Sequence, residues 1–324
     1  MTTTAIETEG LKRYFEPDIR AVDGVDLNVK EGQIFAYLGV NGSGKTTTVR
    51  VLTTLLKPTA GRAQVGGLDV TRRPAEVRGR IGVALQDAAL DDLQTGRELL
   101  TLQARLYGVR PADQRARVSE LMDIVDLADA ADRPVKTYSG GMKRRLDLAA
   151  SLVHRPKIVF LDEPTTGLDP ISRESIWQYT SRLNRDEGVT FFLTTQYLEE
   201  ADRLADDIAI MSRGRIIARG SPAELKAEIG TDVLKIGIEG GPPELARAEA
   251  SLRSFPGLEG LKHEGDHLVM HLKEGSAAVA RVVLQLNDGN FRIGEIRLTH
   301  PTLDEVFLRA AGEDAAAEAG GERA

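Results

Sequence analysis

Short apolar runs alternate with amphipathic segments of helical spacing over roughly the first 225 residues of the chain. The runs are rich in Val, Ile, Leu and Phe, which is typical of strands that are buried on both faces of a parallel sheet. Strands alternating with helices in this order predict an α/β fold with a central, mostly parallel sheet. The predicted strands are 33–38, 81–85, 157–161, 190–194 and 208–211.

A largely helical insert at about 91–134 separates the second predicted strand from the third. A capping box at Thr95 and Glu98, followed by apolar residues with helical spacing, predicts its first helix. After residue 230 the predicted order becomes β-α-β-β-α-β, which is typical of a small ferredoxin-like layer. We therefore expect a first domain at 1–228, a small α+β accessory domain at 229–311, and a disordered tail at 312–324 that is rich in Ala, Gly and acidic residues.

Composition narrows the possible classes of function. The chain has 324 residues and a net charge of −7, which argues against a surface that binds nucleic acid. It contains no cysteine, so disulfides, thiolate metal sites and cysteine nucleophiles are excluded. No apolar run approaches the roughly 18–20 residues needed to cross a bilayer, and the beginning of the chain shows no export signal. We expect a protein that does not itself span a membrane, has no nucleic-acid partner and acts in the cytoplasm.

The strand at 33–38 runs into a glycine-rich sequence that matches the phosphate-loop pattern G-x-x-x-x-G-K-[ST]. Its glycines allow successive backbone N–H groups to turn toward a phosphate, Lys45 can reach the β and γ oxygens, and Thr46 can ligate Mg²⁺. A helix that follows would direct the positive end of its dipole at the same anion. A glycine-rich turn with an exposed lysine is the alternative for this run alone. The residues expected to contact the nucleotide are Gly39, Val40, Asn41, Gly42, Ser43, Gly44, Lys45, Thr46 and Thr47.

Polar residues at the ends of two other predicted strands complete a candidate nucleotide site. Asp162 and Glu163 follow the strand at 157–161, and burying two charges there is costly unless the site needs them. We interpret Asp162 as a residue that orders Mg²⁺ and its waters, and Glu163 as the residue that polarises the water attacking the γ-phosphate. Gln86 ends the strand at 81–85 and could contact both the metal and that water. Each of these residues alone would be an ordinary solvated strand end, but the phosphate loop upstream favours the functional interpretation.

A serine and two glycines, Ser139, Gly140 and Gly141, precede a predicted helix. A serine N-cap followed by glycines leaves the first N–H groups of the helix accessible to an anion. An ordinary capped helix start explains the serine but not both glycines. This short sequence is therefore a second candidate phosphate-binding element.

The order of these motifs resembles the ATP-binding cassette (ABC) family of transport ATPases over about residues 1–225. The resemblance implies a P-loop NTPase cassette, with a RecA-like core, antiparallel β and helical subdomains. In that family two cassettes enclose two ATP molecules, and the phosphate loop of one protomer faces the signature serine and glycines of the other. The resemblance further implies that Tyr14 stacks on adenine, with a plain packing role as the alternative. It also places Asp169 in the loop that couples the two sites.

The sequence departs from the family pattern in two places. Tyr138 and Met142 flank the Ser-Gly-Gly segment, where the family has leucine and glutamine. Gln196 stands after the strand at 190–194, where the family has its switch histidine. An amide donates only a neutral N–H to the transition state, so we assign Gln196 the role of that histidine and expect hydrolysis to persist at a reduced rate.

The segments around the signature, around Gln196 and at 301–308 resemble the daunorubicin-resistance ATP-binding subfamily of drug exporters. In that subfamily the cassette and the membrane permease are separate gene products. The resemblance implies a homodimeric ATPase that uses ATP and Mg²⁺ at the cytoplasmic face of the cell membrane and powers efflux of a hydrophobic drug, antibiotic or lipid-like molecule. The alternative is a soluble ABC-type ATPase switch that has no permease and acts on a macromolecular partner.

Overall fold

The computed structural model describes residues 3–86, 90–273 and 275–321, with side chains described as far as residue 312. Within the described part, the chain divides into two units, one made of residues 3–222 and 313–321 and one made of residues 223–312. The strands of the first unit are β1 (Thr4–Phe15), β2 (Ile19–Lys30), β3 (Ile34–Leu38), β4 (Ala60–Val65), β5 (Leu68–Asp69), β6 (Ile81–Ala84), β7 (Ile158–Asp162), β8 (Thr190–Thr195), β9 (Asp207–Ser212) and β10 (Arg215–Gly220).

Helices of the first unit follow β3, β5, β6, β7 and β8, as the alternating sequence pattern predicts. They are α1 (Lys45–Leu52), α2 (Pro74–Arg78), α3 (Gly96–Leu106), α4 (Pro111–Ile124), α5 (Gly140–Ser151), α6 (Pro170–Glu187) and α7 (Leu198–Leu204). Two short 3₁₀ turns, Ala128–Ala130 and Val135–Thr137, lie between α4 and α5.

A six-stranded sheet with the order β10-β9-β3-β8-β7-β6 forms the centre of the first unit. The pairings among β9, β3, β8, β7 and β6 are parallel, and only β10 pairs antiparallel to its neighbour. Every residue of β3, β7 and β8 is buried, which explains their continuous apolar sequences. Because parallel strands share an edge at their carboxyl ends, the segments after β3, β6, β7 and β8 meet there.

Aromatic rings fill the centre of this sheet. Phe192 on β8 lies 5.3 Å from Phe35, 5.5 Å from Tyr37 and 5.5 Å from Phe160, measured between ring centroids. All four rings are fully buried. Tilted ring pairs at these separations are favourable beyond their buried area, so they fix the relative positions of β3, β7 and β8.

Two smaller parts flank the central sheet. An antiparallel sheet has the order β2-β1-β4-β5, and α3, α4 and α5 form the helical insert between β6 and β7. The capping box predicted at the start of α3 is present, since Thr95 Oγ1 accepts from the N–H of Glu98 at 3.2 Å and the Glu98 carboxylate accepts from the N–H of Thr95 at 2.9 Å. The α/β fold with antiparallel and helical parts is thus confirmed.

The second unit has its own sheet and its own core. Its elements are α8 (Pro222–Ile229), β11 (Asp232–Ile238), α9 (Pro242–Leu252), β12 (Leu258–Glu264), β13 (His267–Leu272), α10 (Gly275–Asp288), β14 (Ile293–Thr299) and, as far as residue 312, α11 (Leu303–Gly321). The sheet order is β12-β13-β11-β14, and every pairing is antiparallel. Alternate residues of β11, namely Leu234, Ile236 and Ile238, are buried in a core shared with α9 and α10. This is the β-α-β-β-α-β layer that the sequence predicts.

The structure differs from the sequence-based expectation at the end of the chain. The segment 312–324 was expected to be disordered, but α11 continues to Gly321, and residues 322–324 lie outside the described part. Four of the residues at 315–319 are alanine, the residue with the highest helix propensity. The helix propensity of these alanines outweighs the glycine and acidic content, which favours disorder.

Candidate active site

A cavity of about 570 Å³ opens at the carboxyl edge of the six-stranded sheet. This volume is within the range typical of small-molecule sites. It lies where the segments after β3, β6 and β7 meet, and much of the predicted nucleotide site surrounds it. The predicted residues that line it are Asn41, Gly42, Gly44, Lys45, Thr46, Thr47, Gln86 and Glu163.

The phosphate loop between β3 and α1 needs glycine where the backbone is in close contact with its neighbours. Gly44 caps α1 with a φ of 110°, and a Cβ atom there would lie 2.0 Å from the carbonyl oxygen of Ala21. A Cβ atom on Gly39 would lie 2.6 Å from the carbonyl oxygen of Met211. The first residues of α1 line the cavity, so the unpaired N–H groups of this helix end are available to an anion.

Lys45 is a buried cation held by the loop that precedes it. Its Nζ donates to the carbonyl oxygens of Gly39 at 2.8 Å and Val40 at 3.1 Å, and lies 3.4 Å from Oε1 of Glu163. Burial lowers the pKa of Lys45, and the Glu163 carboxylate opposes this effect by raising it. An ammonium group in this position can exchange carbonyl partners for the oxygens of a bound phosphate chain.

Asp162, at the end of β7, carries a buried oxygen that has no partner. Its Oδ1 accepts hydrogen bonds from Thr194 Oγ1 at 2.5 Å and from Thr46 Oγ1 at 3.2 Å. Its Oδ2 has no hydrogen-bond partner within the described part of the chain. Carboxylate and hydroxyl oxygens suit a hard divalent cation. Asp162 and Thr46 therefore fit the predicted Mg²⁺ site, and Gln86 stays a predicted third ligand.

Glu163 adopts a backbone conformation that residues other than glycine rarely adopt, with a φ of 49°. Its N–H lies 3.1 Å from the carbonyl oxygen and 3.0 Å from Oγ1 of Thr194 on the neighbouring strand. Its carboxylate accepts from Thr166 Oγ1 at 3.3 Å and faces Lys45. Such positions concentrate at functional sites, where the surrounding structure holds them in place. Thr194 thus holds the carboxylate of Asp162 and the main chain of Glu163, a role that the sequence pattern did not reveal.

The two predicted glutamines lie at strand ends but differ in their relation to the cavity. Gln86 follows β6, is exposed and lines the cavity, while residues 87–89 after it lie outside the described part. Gln196 follows β8 and is half-buried, and it is not part of the cavity wall. The catalytic role of Gln196 stays a prediction.

The signature segment forms an exposed tip that does not line the cavity of its own chain. Ser139 caps α5 by accepting from the N–H of Met142 at 3.2 Å, and both Ser139 and Gly140 are exposed. Tyr138, which replaces the family's leucine, is buried and donates from its hydroxyl to the carbonyl oxygen of Ala130 at 2.7 Å. The tyrosine therefore anchors the signature to the helical insert without altering the exposed serine and glycine.

The signature also contacts the loop that carries Asp169. A Cβ atom on Gly141 would lie 2.3 Å from Oγ of Ser172 in the first turn of α6. That hydroxyl donates to Oδ2 of Asp169 at 2.6 Å, and Asp169 caps α6 through the N–H groups of Ile171 and Ser172. These bonds, chiefly the one from the Ser172 hydroxyl, hold the pKa of Asp169 below its usual value. Gly141 is therefore required for close packing between the two loops.

Tyr14 lies near the cavity but does not form part of its wall. Its hydroxyl donates to Asp23 Oδ1 at 2.5 Å, and this bond together with Arg215 holds the pKa of Asp23 below its usual value. The guanidinium of Arg20, which does line the cavity, lies 5.7 Å from the centroid of the Tyr14 ring. Stacking of Tyr14 on adenine stays a prediction, and Arg20 is a neighbouring group that the sequence motifs did not reveal.

The cavity wall includes further residues outside every motif. Residues 18–21 lie four to seven positions after Tyr14, and this short distance along the chain is the sequence signal that could have identified them. Arg213 is far from the other motifs in sequence and carried no such signal. The additional lining residues are Asp18, Ile19, Arg20, Ala21 and Arg213.

Comparison with known proteins agrees with the site geometry. The sequence matches the family "ABC transporter" over residues 22–166 and the family "ATP-binding protein DrrA1-3-like, C-terminal domain" over residues 220–311. It is 45% identical to the daunorubicin/doxorubicin resistance ATP-binding protein DrrA of Streptomyces peucetius, over 97% of this chain and 94% of that protein. It is 37% identical to the Nod factor export ATP-binding protein I of Ralstonia nicotianae, over 97% and 95% of the two chains.

Solved structures of ABC cassettes resemble the first unit. The cbiO1 protein of Clostridium perfringens, part of the ABC transporter complex cbiONQ, has a TM-score of 0.64 at 28% identity, over 69% of this chain and 91% of that one. The dimeric bacterial ABC transporter cassette MJ0796 has a TM-score of 0.62 at 27% identity, over 67% and 98%. A second structure of MJ0796, in a post-hydrolysis state bound to ADP and Pi, has a TM-score of 0.62 at 25% identity, over 67% and 98%.

The fold and the site define a P-loop nucleoside triphosphatase. The chain belongs to the ATP-binding cassette family of transport ATPases, in the branch of the drug-resistance ATP-binding proteins. Its activity is the binding and hydrolysis of ATP as the ATPase subunit of an exporter. The predictions of family, ATPase activity and export function are confirmed.

Proposed function

We propose that two copies of this chain enclose two Mg·ATP units and drive a separate multi-span permease at the cytoplasmic face of the membrane. The observation that carries the proposal is that Lys45 and Glu163 line one cavity beside a phosphate loop, while Asp162 accepts a hydrogen bond from Thr46 of the cavity wall. The names of the relatives support the proposal that ATP hydrolysis is coupled to export. A permease-free switch is not favoured, because the named relatives that span nearly the whole chain are resistance and export proteins.

Each residue of the proposed site has its own role in hydrolysis, whether it lines the cavity or lies beside it. The phosphate loop and Lys45 bind the β and γ phosphates, and Thr46, Asp162 and Gln86 hold the cation. Mg²⁺, when bound, neutralises charge on the phosphate oxygens and orients them for in-line attack. Glu163 accepts a proton from the attacking water, because its carboxylate is held at the cavity directly after the end of β7. Gln196 donates its amide N–H to charge that develops on the γ-phosphate.

The exposed signature supports the dimeric arrangement. Ser139 and Gly140 carry backbone and hydroxyl groups suited to phosphate, yet they lie away from the cavity of their own chain. A second copy would bring them to the phosphate loop opposite, as the dimeric cassette MJ0796 suggests. Asp169, whose loop contacts Gly141, would then link the two sites.

The chemical class of the cargo is proposed from the names of the relatives. They are named for resistance to daunorubicin and doxorubicin and for export of Nod factor, so we propose a hydrophobic or amphipathic natural product. Among the described residues no helix combines the length and apolar character that a membrane span needs. The path for the cargo would therefore be provided by the permease.

Reconstitution with a candidate permease tests this function. We expect co-expression with a multi-span protein encoded next to this chain, where there is one, to retain the cassette on membranes, and cargo to stimulate ATPase activity in proteoliposomes. The Glu163→Gln variant in the same vesicles serves as the control for coupled hydrolysis. A cassette that hydrolyses ATP but is neither retained nor stimulated by any neighbouring membrane protein would favour the permease-free switch.

Replacement of Gln196 tests its assigned role. We expect Gln196→Ala to lower the turnover number more than Gln196→His, because alanine removes a donor that histidine replaces. Loss of a preorganised donor costs about 2.7–4 kcal/mol, or roughly 10²–10³ in rate. Steady-state ATPase assays on the three proteins measure the difference. Equal rates for all three would remove Gln196 from the mechanism.

A further inference from the structure

A buried arginine in the signature helix lies behind the catalytic residues. Arg144 is in the second turn of α5, five residues after Ser139, and only 9% of its surface is exposed. A buried charge is costly unless hydrogen bonds and an opposite charge compensate it. The groups that compensate Arg144 therefore show what the arginine holds in place.

The Arg144 guanidinium donates to main-chain carbonyls on two different strand ends. Its Nη2 donates to the carbonyl oxygen of Asp162 at 2.9 Å, and its Nε donates to that of Pro164 at 3.0 Å. Its Nη1 donates to the carbonyl oxygen of Leu85. The carbonyls of Asp162 and Pro164 belong to the residues on either side of Glu163. The carbonyl of Leu85 belongs to the residue directly before Gln86. One planar group thus holds the backbone on either side of the proposed base and in front of the proposed cavity glutamine.

Asp147, one turn further along α5, completes the environment of the guanidinium. Its Oδ2 lies 3.1 Å from Nη1 of Arg144, and both side chains are largely buried. Burial raises the pKa of Asp147 to about 6, and the charge of Arg144 acts in the opposite direction. The carboxyl is therefore mostly ionised at neutral pH, where it keeps Arg144 paired and directed at the strand ends.

We propose that Arg144 is a positioning residue for ATP hydrolysis, which couples the signature helix to the ends of β6 and β7. The proposal rests on the proposed function in one respect, namely that the signature contacts the nucleotide bound by the partner. When that nucleotide displaces α5, the displacement reaches the backbone around Glu163 through the three carbonyl bonds. Arg144 would thereby make hydrolysis at one site sensitive to nucleotide at the other.

Variants at Arg144 separate positioning from simple stabilisation. We expect Arg144→Gln to lower kcat about 10–100-fold, while the dissociation constant for a fluorescent ATP analogue changes less than threefold. Arg144→Lys keeps the charge but loses the planar, forked guanidinium, so its kcat should lie between those of the wild-type protein and Arg144→Gln. The readouts are steady-state kcat and KM, analogue binding and the melting temperature of each purified full chain.

Arg117 provides a matched control on another helix. It is 6% exposed, donates to the carbonyl oxygens of Leu152 at 2.6 Å and Val153 at 3.2 Å, and pairs with Glu120. Its carbonyl partners follow the far end of α5, away from the catalytic strand ends. Arg117→Gln should therefore lower the melting temperature to a similar degree but leave kcat within about twofold.

The outcomes distinguish the positioning role from the proposed function. If wild-type protein hydrolyses ATP and Arg144→Gln matches its kcat, or if Arg117→Gln lowers kcat as strongly, the positioning role is refuted while the function stands. If Arg144→Gln does not fold, a wild-type kcat in Arg144→Lys refutes the role. Absence of hydrolysis in the wild-type protein would overturn the proposed function and the positioning role together.

Discussion

Replacement of Glu163 by glutamine is expected to lower ATP turnover about 10²–10⁴-fold while ATP still binds. The change keeps the shape of the side chain but removes the carboxylate that accepts the proton of the attacking water. A loss of this size corresponds to about 3–5 kcal/mol of transition-state stabilisation. Because ATP would close the dimer without being hydrolysed, the variant should also accumulate as a dimer. Steady-state ATPase assays and size-exclusion chromatography with ATP measure both effects.

An exposed glutamate provides the control for this substitution. Glu76 is paired with Arg73 on the surface, so Glu76→Gln changes the same chemical group outside the site. It should leave turnover and the monomer–dimer distribution unchanged. If Glu163→Gln retained near wild-type turnover, Glu163 would not be the base, although the fold assignment would stand.

Replacement of Lys45 by alanine is expected to abolish retention of nucleotide. Each hydrogen bond from a charged group contributes about 1.5–3 kcal/mol, so losing contacts to two phosphate oxygens should weaken binding by roughly 10²-fold or more. The substitution also leaves the Glu163 carboxylate, 3.4 Å from Lys45, without its cation. Equilibrium binding of a fluorescent ATP analogue and ATPase assays measure the loss.

Lys235→Ala is a suitable control for this experiment, because Lys235 is a surface lysine paired with Glu264 at 3.1 Å in the second unit. It should bind the analogue as the wild-type protein does. Undiminished nucleotide binding by Lys45→Ala would contradict the assignment of the phosphate loop and everything derived from it.

Local sequence was sufficient for the parts of the site that one chain segment builds. The phosphate loop is specified by eight consecutive positions, because its function depends on glycine conformations and on a lysine and a threonine at fixed offsets. The carboxylates Asp162 and Glu163 were recognisable because charges seldom follow a fully buried strand without a reason. The capping box of α3 and the order of strands and helices along the second unit were predicted on similar local evidence.

Contacts between segments that are distant in the chain could not be predicted from local sequence patterns. Thr194 reaches Asp162 because β7 and β8 are paired in one particular register, which the sequence pattern does not specify. Glu200 is fully buried and accepts from Thr165 at 3.0 Å and Trp177 at 2.9 Å, although the surrounding sequence is typical of an exposed helix start. The carbonyl partners of Arg144 likewise carry no sequence signal, because every residue has a carbonyl group.

Two separate hydrophobic cores stabilise the chain. One set of buried side chains lies in the first unit and another, around Leu234, Leu252 and Val282, lies in the second. Cooperative all-or-none melting is a property of a single core, and chains with two need not obey it. The two units can therefore melt in separate transitions, and the melting temperature of a variant is read from the transition of the unit that carries the substitution. Thermodynamic effects of substitutions have to be assigned to the unit in which they occur.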